Sequence, residues 1–342
     1  MIRSEAAYNQ LRAHPRRWLV TGVAGFIGSH LLEELLQLDQ VVTGFDNFAS
    51  GARQNLEEVQ AQVTREQWER FTFSEGDVAD LAAVREAVRG SDVILHQAGF
   101  VSVPRSLDRP ELCHATNVTG MLNLLLAARE AQVRRFVYAS SSAVYGDDAC
   151  PVKREENIGR PLSFYAVSKL VDELYASQCA QHFGTQTVGL RYFNIYGPRQ
   201  DPGGAYAAVI PQWIMRMLRQ ERCRVHGDGL QTRDFCFVRD VVQANLLAAT
   251  TDNAASFGRA YNVAAGRTLN LRELYSLIAT SLQVASLANP PAAPDYGTPR
   301  AGDIEHSSAD ISAIQRDLGY DPRFSPEQGL EATIRWYAEQ QR

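Results

Sequence analysis

A short apolar run, Arg17–Thr21 (RWLVT), stops at Gly22 and opens into Gly22-Val23-Ala24-Gly25-Phe26-Ile27-Gly28. Apolar residues then recur at 27, 31, 32, 35, 36 and 38. The first run has the length and composition of a buried strand, and the second has the spacing of an amphipathic helix. Glycines three apart between them restrict the link severely. Gly22 suits a tight turn, Gly25 leaves the backbone open to close approach, and Gly28 lets the helix lie against the strand. A strand that feeds straight into a helix begins a strand–helix–strand unit, so a parallel sheet should follow.

The next residues continue that pattern. Val41–Phe45, Phe71–Ser74, Val93–Leu95, Arg135–Ala139 and Thr187–Leu190 read as strands two to six, with helical stretches near 80–88, 110–131 and 164–182. The strands are short and almost continuously apolar, as expected where both faces of a sheet are covered. The fold class is α/β: a doubly wound parallel Rossmann sheet with a smaller mixed α/β C-terminal substrate lobe. Past residue 195 the alternation loosens. Gly197–Gly204 (GPRQDPGG) is turn-rich, 206–219, 238–250, 270–283 and 326–340 look helical, and Asn289–Pro299 reads as an extended connector. The expected division is a polar leader (1–16), a sheet domain (17–194, with 236–264 returning to it) and a substrate lobe (195–235 and 265–342). The cleft between lobes is the natural ligand site.

Composition narrows the partners. Lys+Arg 34 against Asp+Glu 39 leaves a net charge of −5. A mildly acidic chain lacks the basic stripe of a nucleic-acid binder. No apolar run reaches about 18 residues, so no membrane span is expected. The leader has no apolar core of a signal peptide. Cysteines at 113, 150, 179, 223 and 236 form no CxxC pair, which reads as reduced thiols in a cytoplasmic protein. The seven histidines form no HxxxH or HxH pair, and no metal site is expected.

The glycines have a chemical meaning in this setting. Their spacing is GxxGxxG rather than GxGxxG, but a strand precedes them and a helix follows, which is the context a dinucleotide turn requires. A pyrophosphate would rest on the helix N-terminus, where free N–H groups and the dipole favour anions. Asp46 ends the second strand and can accept hydrogen bonds from an adenosine ribose. It would repel a 2′-phosphate, so NAD is expected rather than NADP. Asn47, Ser50 and Gly51 belong to a loop that can fold over the cofactor. Asp77 closes the third strand, within reach of adenine. Gln97, Ala98 and Gly99 leave room for a cofactor edge after the fourth.

Ser140-Ser141-Ser142 follows the fifth strand, and Tyr165 and Lys169 form a Y-x-x-x-K pair. On a helix, i and i+4 share a face. A lysine ammonium beside a phenol favours the phenolate and lowers its pKa from about 10. Such a phenolate is a competent general base for a sugar hydroxyl. Ser141 can hydrogen-bond the same oxygen and pass the proton.

On these motifs the chain resembles the extended short-chain dehydrogenase/reductase family, and within it the UDP-hexose 4-epimerases. The matching segments run from Trp18 to about Tyr337: TGVAGFIG (21–28), DNFASG (46–51), GDV (76–78), HQAG (96–99), SSSAVYGD (140–147), YAVSK (165–169), RYFNIYGPRQ (191–200), TRDF (232–235) and RAGD (300–303). The resemblance implies catalytic Ser141, Ser142, Tyr165 and Lys169. It extends the NAD contacts to Phe26, Ile27, Val78, Asn117 and Tyr192. For a UDP-sugar it implies phosphate contacts from Asn194, Arg233 and Arg300, ribose contacts from Asp303 and a uracil wall at Val209. The positions after Ser141 are Ser142 and Ala143, without the acid pair of dehydratases or the glutamate of decarboxylases, so simple epimerisation or oxidation fits better.

Ser307 bears on the sugar. Galactose-type relatives that reject N-acetyl sugars carry a tyrosine at the matching position, and a serine leaves room for a 2-acetamido group. Ser102 and Gln200 are expected near the same group. The SVPRS and RQDPGGAYAAVIP segments resemble bacterial UDP-N-acetylglucosamine 4-epimerases of polysaccharide assembly. The expected reaction is therefore reversible NAD-dependent C4 epimerisation of UDP-GlcNAc/UDP-GalNAc, with UDP-Glc/UDP-Gal as further substrates. Two alternatives stay open: a UDP-glucuronate 4-epimerase or other NAD-dependent nucleotide-sugar oxidoreductase, and a non-catalytic nucleotide sensor. Analogy also implies a homodimer joined by the helices near 110–130 and 165–182.

Overall fold

The computed structural model describes residues 3–203, 208–290, 293–298 and 306–341. Seven parallel strands form the central sheet: β1 (Arg17–Thr21), β2 (Val41–Asp46), β3 (Phe71–Glu75), β4 (Val93–His96), β5 (Arg135–Ser141), β6 (Gln186–Tyr192) and β7 (Arg259–Val263). Their order is β7-β6-β5-β4-β1-β2-β3. The chain therefore builds outward on one side of β1, then crosses to β4 and builds outward on the other. A crevice forms at the carboxyl ends of β1 and β4, where such sheets hold ligands.

Both sheet faces are dry, and the pleat explains the continuous apolar runs. Trp18 and Val20 of β1 pack with Leu31, Leu32 and Leu35 of the helix Phe26–Gln37. Leu19, between them, points the other way and packs with Met121, Leu124 and Phe136. Successive side chains of one strand thus enter different cores. Fully burying each large apolar side chain contributes roughly 1.5–3 kcal/mol.

Five elements depart from the sequence reading. The polar leader is a helix, Arg3–Ala13, with Ala7 and Leu11 buried. Gln40 Nε2 donates to the Leu11 carbonyl at 2.9 Å and so ties the helix to the sheet. Its apolar stripe is too narrow for a periodicity argument. The helix Arg53–Gln62 buries only Val59 and so carries no apolar periodicity either. Arg259–Val263 adds a seventh strand to the six expected. The stretch 110–131 is α-helical at Pro110–Cys113, π-helical at His114–Thr119 and α-helical again at Gly120–Glu130. In the proline-rich connector, Asp295–Gly297 pairs as a short parallel strand with Arg224–His226.

The long helix Phe164–Phe183 begins at Ser163, whose hydroxyl accepts from the Ala166 N–H at 3.1 Å. It ends at Gly184, which is left-handed at φ +70°. A second sheet of four strands runs in the order Thr268–Asn270, Thr232–Asp234, His306–Ala309, Val152–Lys153. Its parallel register sets Arg233 opposite Ser307. No helix among the described residues is long and apolar enough to cross a membrane. All five cysteines are free, and four are buried.

Candidate active site

The glycine turn is built as its spacing requires. Gly22 sits at φ +68°, and a Cβ there would lie 2.6 Å from the Ala98 amide nitrogen. A Cβ on Gly28 would lie 2.0 Å from the Gly22 carbonyl oxygen, so this helix and turn approach as only glycine permits. Gly25 is the N-cap of the helix Phe26–Gln37, with no side-chain cap and no acid in the first turn. The first-turn N–H groups, including those of Phe26, Ile27 and Gly28, therefore face an anion site without an internal competitor.

Asp46 is only 8% exposed and accepts from the Ala24 N–H at 2.9 Å and the Phe48 N–H at 2.8 Å. Burial lifts its carboxyl above the usual range, against the pull of those backbone donors. The same loop folds back on the turn. The Ala52 N–H and Asn55 Nδ2 both donate to the Ala24 carbonyl, and Gly51 packs on Ala24 too closely for a side chain. Asn47 Nδ2 donates to Asp77 at 2.9 Å, joining the ends of β2 and β3, while Val78 is buried against Gly120. Ser50 is exposed at the loop tip. A glycine cradle with uncapped donors and a carboxylate on the next strand fits NAD.

At the other side of the crevice, Tyr192 Oη donates to Gln97 Oε1 at 3.1 Å. Asn245 joins them, accepting from Gln97 Nε2 at 3.1 Å and donating to Tyr192 Oη at 2.9 Å. Asn245 was not expected from the sequence, since nothing local distinguishes it on the apolar helix Val238–Thr250. His96 Nδ1 meets Thr21 Oγ1 at 2.7 Å across β1 and β4. Burial, then the nearby Lys169 charge, pushes His96 down to about 3, so it is neutral.

Tyr165 and Lys169 are both nearly buried, at 9% and 4% exposed. Tyr165 packs with Phe100 and Cys113, and Ala143 from the serine turn lies against the same cluster. Lys169 Nζ donates to the Ala139 carbonyl at 3.0 Å and to Asp172 Oδ2 at 3.1 Å. Burial alone would push this ammonium down, but the Asp172 carboxylate and the Tyr165 oxygen outweigh it and hold the group above its usual value. Ser141 ends β5, and its Oγ accepts from the Ala143 N–H at 3.2 Å. Ser142 starts a 3₁₀ turn. Asn117 sits in the π-helical turn. Its Oδ1 accepts from the Phe100 N–H at 2.7 Å, and its Nδ2 donates to Ser168 Oγ at 2.8 Å and to the Phe100 carbonyl. This amide joins Gly99–Phe100 to the helix Phe164–Phe183, a positioning task. Behind the site, Arg191 grips Glu173 through two bonds of 2.9 and 2.8 Å, and Ser140 donates to the same carboxylate at 2.5 Å. That buried fork locks β5, β6 and the helix Phe164–Phe183 together.

Among the residues expected to hold substrate, Asn194 is left-handed at φ +39°, and its Nδ2 donates to the Asp234 carbonyl at 3.0 Å. Arg233 follows in the same corner, and Ser307 is its register partner. Val209 opens the helix Val209–Leu218. Ser102 caps the helix Val103–Asp108 by accepting from the Arg105 N–H, and Gln200 Nε2 donates to the Ile195 carbonyl, so both have structural partners. Arg300 and Asp303 lie outside the described residues. No group of His, Cys, Asp or Glu suited to a metal occurs among the described residues. A cavity of about 1040 Å³ lies apart from these side chains, lined by Tyr8, Arg12, His30, Arg239 and Trp336.

Comparison with known proteins agrees with this geometry. The family described as "NAD dependent epimerase/dehydratase family" matches residues 18–264. A UDP-glucose 4-epimerase of Mycolicibacterium smegmatis is 34% identical over 324 residues, 94% of this chain and 98% of that one. Among solved structures, the UDP-N-acetylglucosamine 4-epimerase of Methanobrevibacter ruminantium M1, in complex with UDP-N-acetylmuramic acid, superposes with a TM-score of 0.85. It is 34% identical, over 95% of this chain and 99% of that one. A UDP-glucuronic acid 4-epimerase of Bacillus cereus superposes with a TM-score of 0.82 at 29% identity, over 95% and 100%. The chain belongs to the NAD dependent epimerase/dehydratase family, as an NAD-dependent epimerase of the extended short-chain dehydrogenase/reductase class.

Proposed function

We propose that this enzyme interconverts UDP-N-acetylhexosamines, UDP-GlcNAc and UDP-GalNAc, at C4. The observation that carries the sugar choice is Ser307, a small side chain in register with Arg233. Arg233 is a donor suited to a pyrophosphate, and a serine beside it leaves volume for an acetamido group. A similar structure was solved with an N-acetylated UDP-sugar, which supports the same reading.

The chain's own residues then divide the work. Tyr165 takes the proton from the C4 hydroxyl, with Ser141 as the relay, and Lys169 stabilises the phenolate. NAD, when bound, supplies reversible hydride acceptance, so that C4 can pass through a ketone and return with either configuration. Asn194, Arg233 and Arg300 hold the UDP phosphates while the hexose turns. Tyr165 returns the proton to the inverted alkoxide. A firm grip on UDP and a loose one on the hexose follow from having to present both faces of the sugar.

Product analysis with UDP-GlcNAc, UDP-Glc and UDP-GlcA, without added cofactor, tests this directly. The expected result is fastest turnover of UDP-GlcNAc. Equal or faster turnover of UDP-Glc removes the preference. Ser307→Tyr should depress kcat/KM for UDP-GlcNAc by about tenfold or more, the scale of a steric mismatch in a pocket, and spare UDP-Glc.

We also infer a homodimer. Phe164, Val167, Leu174 and Tyr175 are exposed along the outer face of the catalytic helix, at 52%, 46%, 60% and 39%. Leu122 and Leu126 of the adjacent helix Gly120–Glu130 are half-buried beside it, whereas Met121 and Leu125 belong to the chain's own core. A second copy would cover that stripe. Light scattering should give twice the chain mass, and Leu174→Glu should halve it.

A further inference from the structure

Lys169 and Asp172 lie three residues apart on one face of the catalytic helix and are sealed from solvent, at 4% and 1% side-chain exposure. The ammonium has three N–H donors. One goes to Asp172 Oδ2 at 3.1 Å and a second to the Ala139 carbonyl at 3.0 Å. One remains for the Tyr165 side of the site. The other oxygen of Asp172 is buried and meets no partner. The carboxylate therefore spends its charge on Lys169. Burying an acid this deeply is costly, and a lysine could be steered by a carbonyl alone. A full charge here needs a chemical reason.

The reaction supplies one. In a reversible epimerisation the same phenol must take a proton and give it back within each turnover. Such a group works best when its acidity is matched to the operating pH. An unopposed ammonium in a dry site would hold the phenolate too firmly to return the proton. We propose that Asp172 is a positioning residue that both aims Lys169 and offsets part of its charge, so that the ammonium pulls on the Tyr165 oxygen less strongly than an unpaired lysine would. This rests on the epimerase reading of the site but not on which UDP-hexose it takes.

The surrounding charges are accounted for. Glu173, next on the helix, is held by Arg191 of β6 and Ser140 of β5. His96 of β4 is neutral. Burial pushes the Cys113 thiol up on the Phe100 side, and it pushes the Tyr138 phenol up beneath the helix. Asp172 itself is raised to about 6 by burial, against the pull of Lys169, so it is anionic above that pH.

The test is the pH profile of kcat/KM for Asp172→Asn, with whichever UDP-hexose the unmutated enzyme turns over fastest. Turnover by the unmutated enzyme in the same series tests the epimerase reading separately. Asparagine keeps an acceptor for Lys169 and removes the charge. The acid limb, which reports loss of the phenolate, should move down by about one pH unit. Asp172→Glu, which keeps the charge, should leave the limb near its original place. A purely structural role predicts the opposite sign: a displaced Lys169 would no longer favour the phenolate, and the limb would move up. An unmoved or rising limb overturns the proposal. Asp172→Ser carries the same expectation if the asparagine variant does not fold. Failure of both neutral variants to fold assigns the carboxylate to stability and also overturns it.

Discussion

Tyr165→Phe should lower turnover by about two to four orders of magnitude, the usual worth of a positioned acid–base group. The loss should fall on kcat, because the phenol acts on the reacting proton and not on UDP. Phenylalanine keeps the ring against Phe100 and Cys113, and the Tyr165 N–H still reaches Ser106 Oγ at 3.2 Å. The helix start should therefore survive, and so should the bonds of Lys169 to Ala139 and Asp172. UDP affinity by calorimetry and bound NAD should stay close to those of the unmutated enzyme. Initial rates near the unmutated value would reject Tyr165 as the base. A joint loss of NAD would instead point to a structural role.

Gly28→Ala should be the most damaging single methyl in the cofactor site. Its Cβ would stand 2.0 Å from the Gly22 oxygen, 2.7 Å from the Gly22 carbonyl carbon and 2.9 Å from Val23 Cα. All three are backbone atoms, so no side chain can rotate away. Either the helix Phe26–Gln37 lifts from β1 or the turn opens. Overpacking a tight site costs about 1–3 kcal/mol and occasionally more, and this geometry belongs at the upper end. A thermal midpoint lower by about 5 °C or more is expected, together with little NAD after purification. Gly25→Ala is the control. Its methyl would meet only the Gly22 oxygen, at 3.1 Å, so stability should hold while NAD affinity falls. Equal stability losses for both variants would refute the separate roles assigned to the two glycines.

The strands β1 to β6 were legible because each is a short apolar run between turn signals, and burial on both faces removes any need for alternation. The Y-x-x-x-K pair was legible because helical spacing alone sets two residues on one face. The leader helix was not, because Ala7 and Leu11 are its only described buried apolar residues and polar residues fill the remainder. Asp172 shows the same limit inside a recognised motif. Spacing puts it three residues from Lys169, but many acids on helices stand at that distance from a lysine in water. Only the packing of that face against β5 makes this pair dry and therefore strong.

The sequence by itself determined the α/β class, the glycine turn, the acid at the end of β2 and the Y-x-x-x-K pair on one helix face. Each is a local pattern whose physics operates over a few residues. The tertiary structure alone decided which distant groups meet. Gln97, Tyr192 and Asn245 come from the loop after β4, from β6 and from a helix, separated by as many as 148 residues. Arg233 and Ser307 become neighbours only when two short strands pair in one register. Such contacts depend on how whole elements stack and slide, which no local spacing encodes.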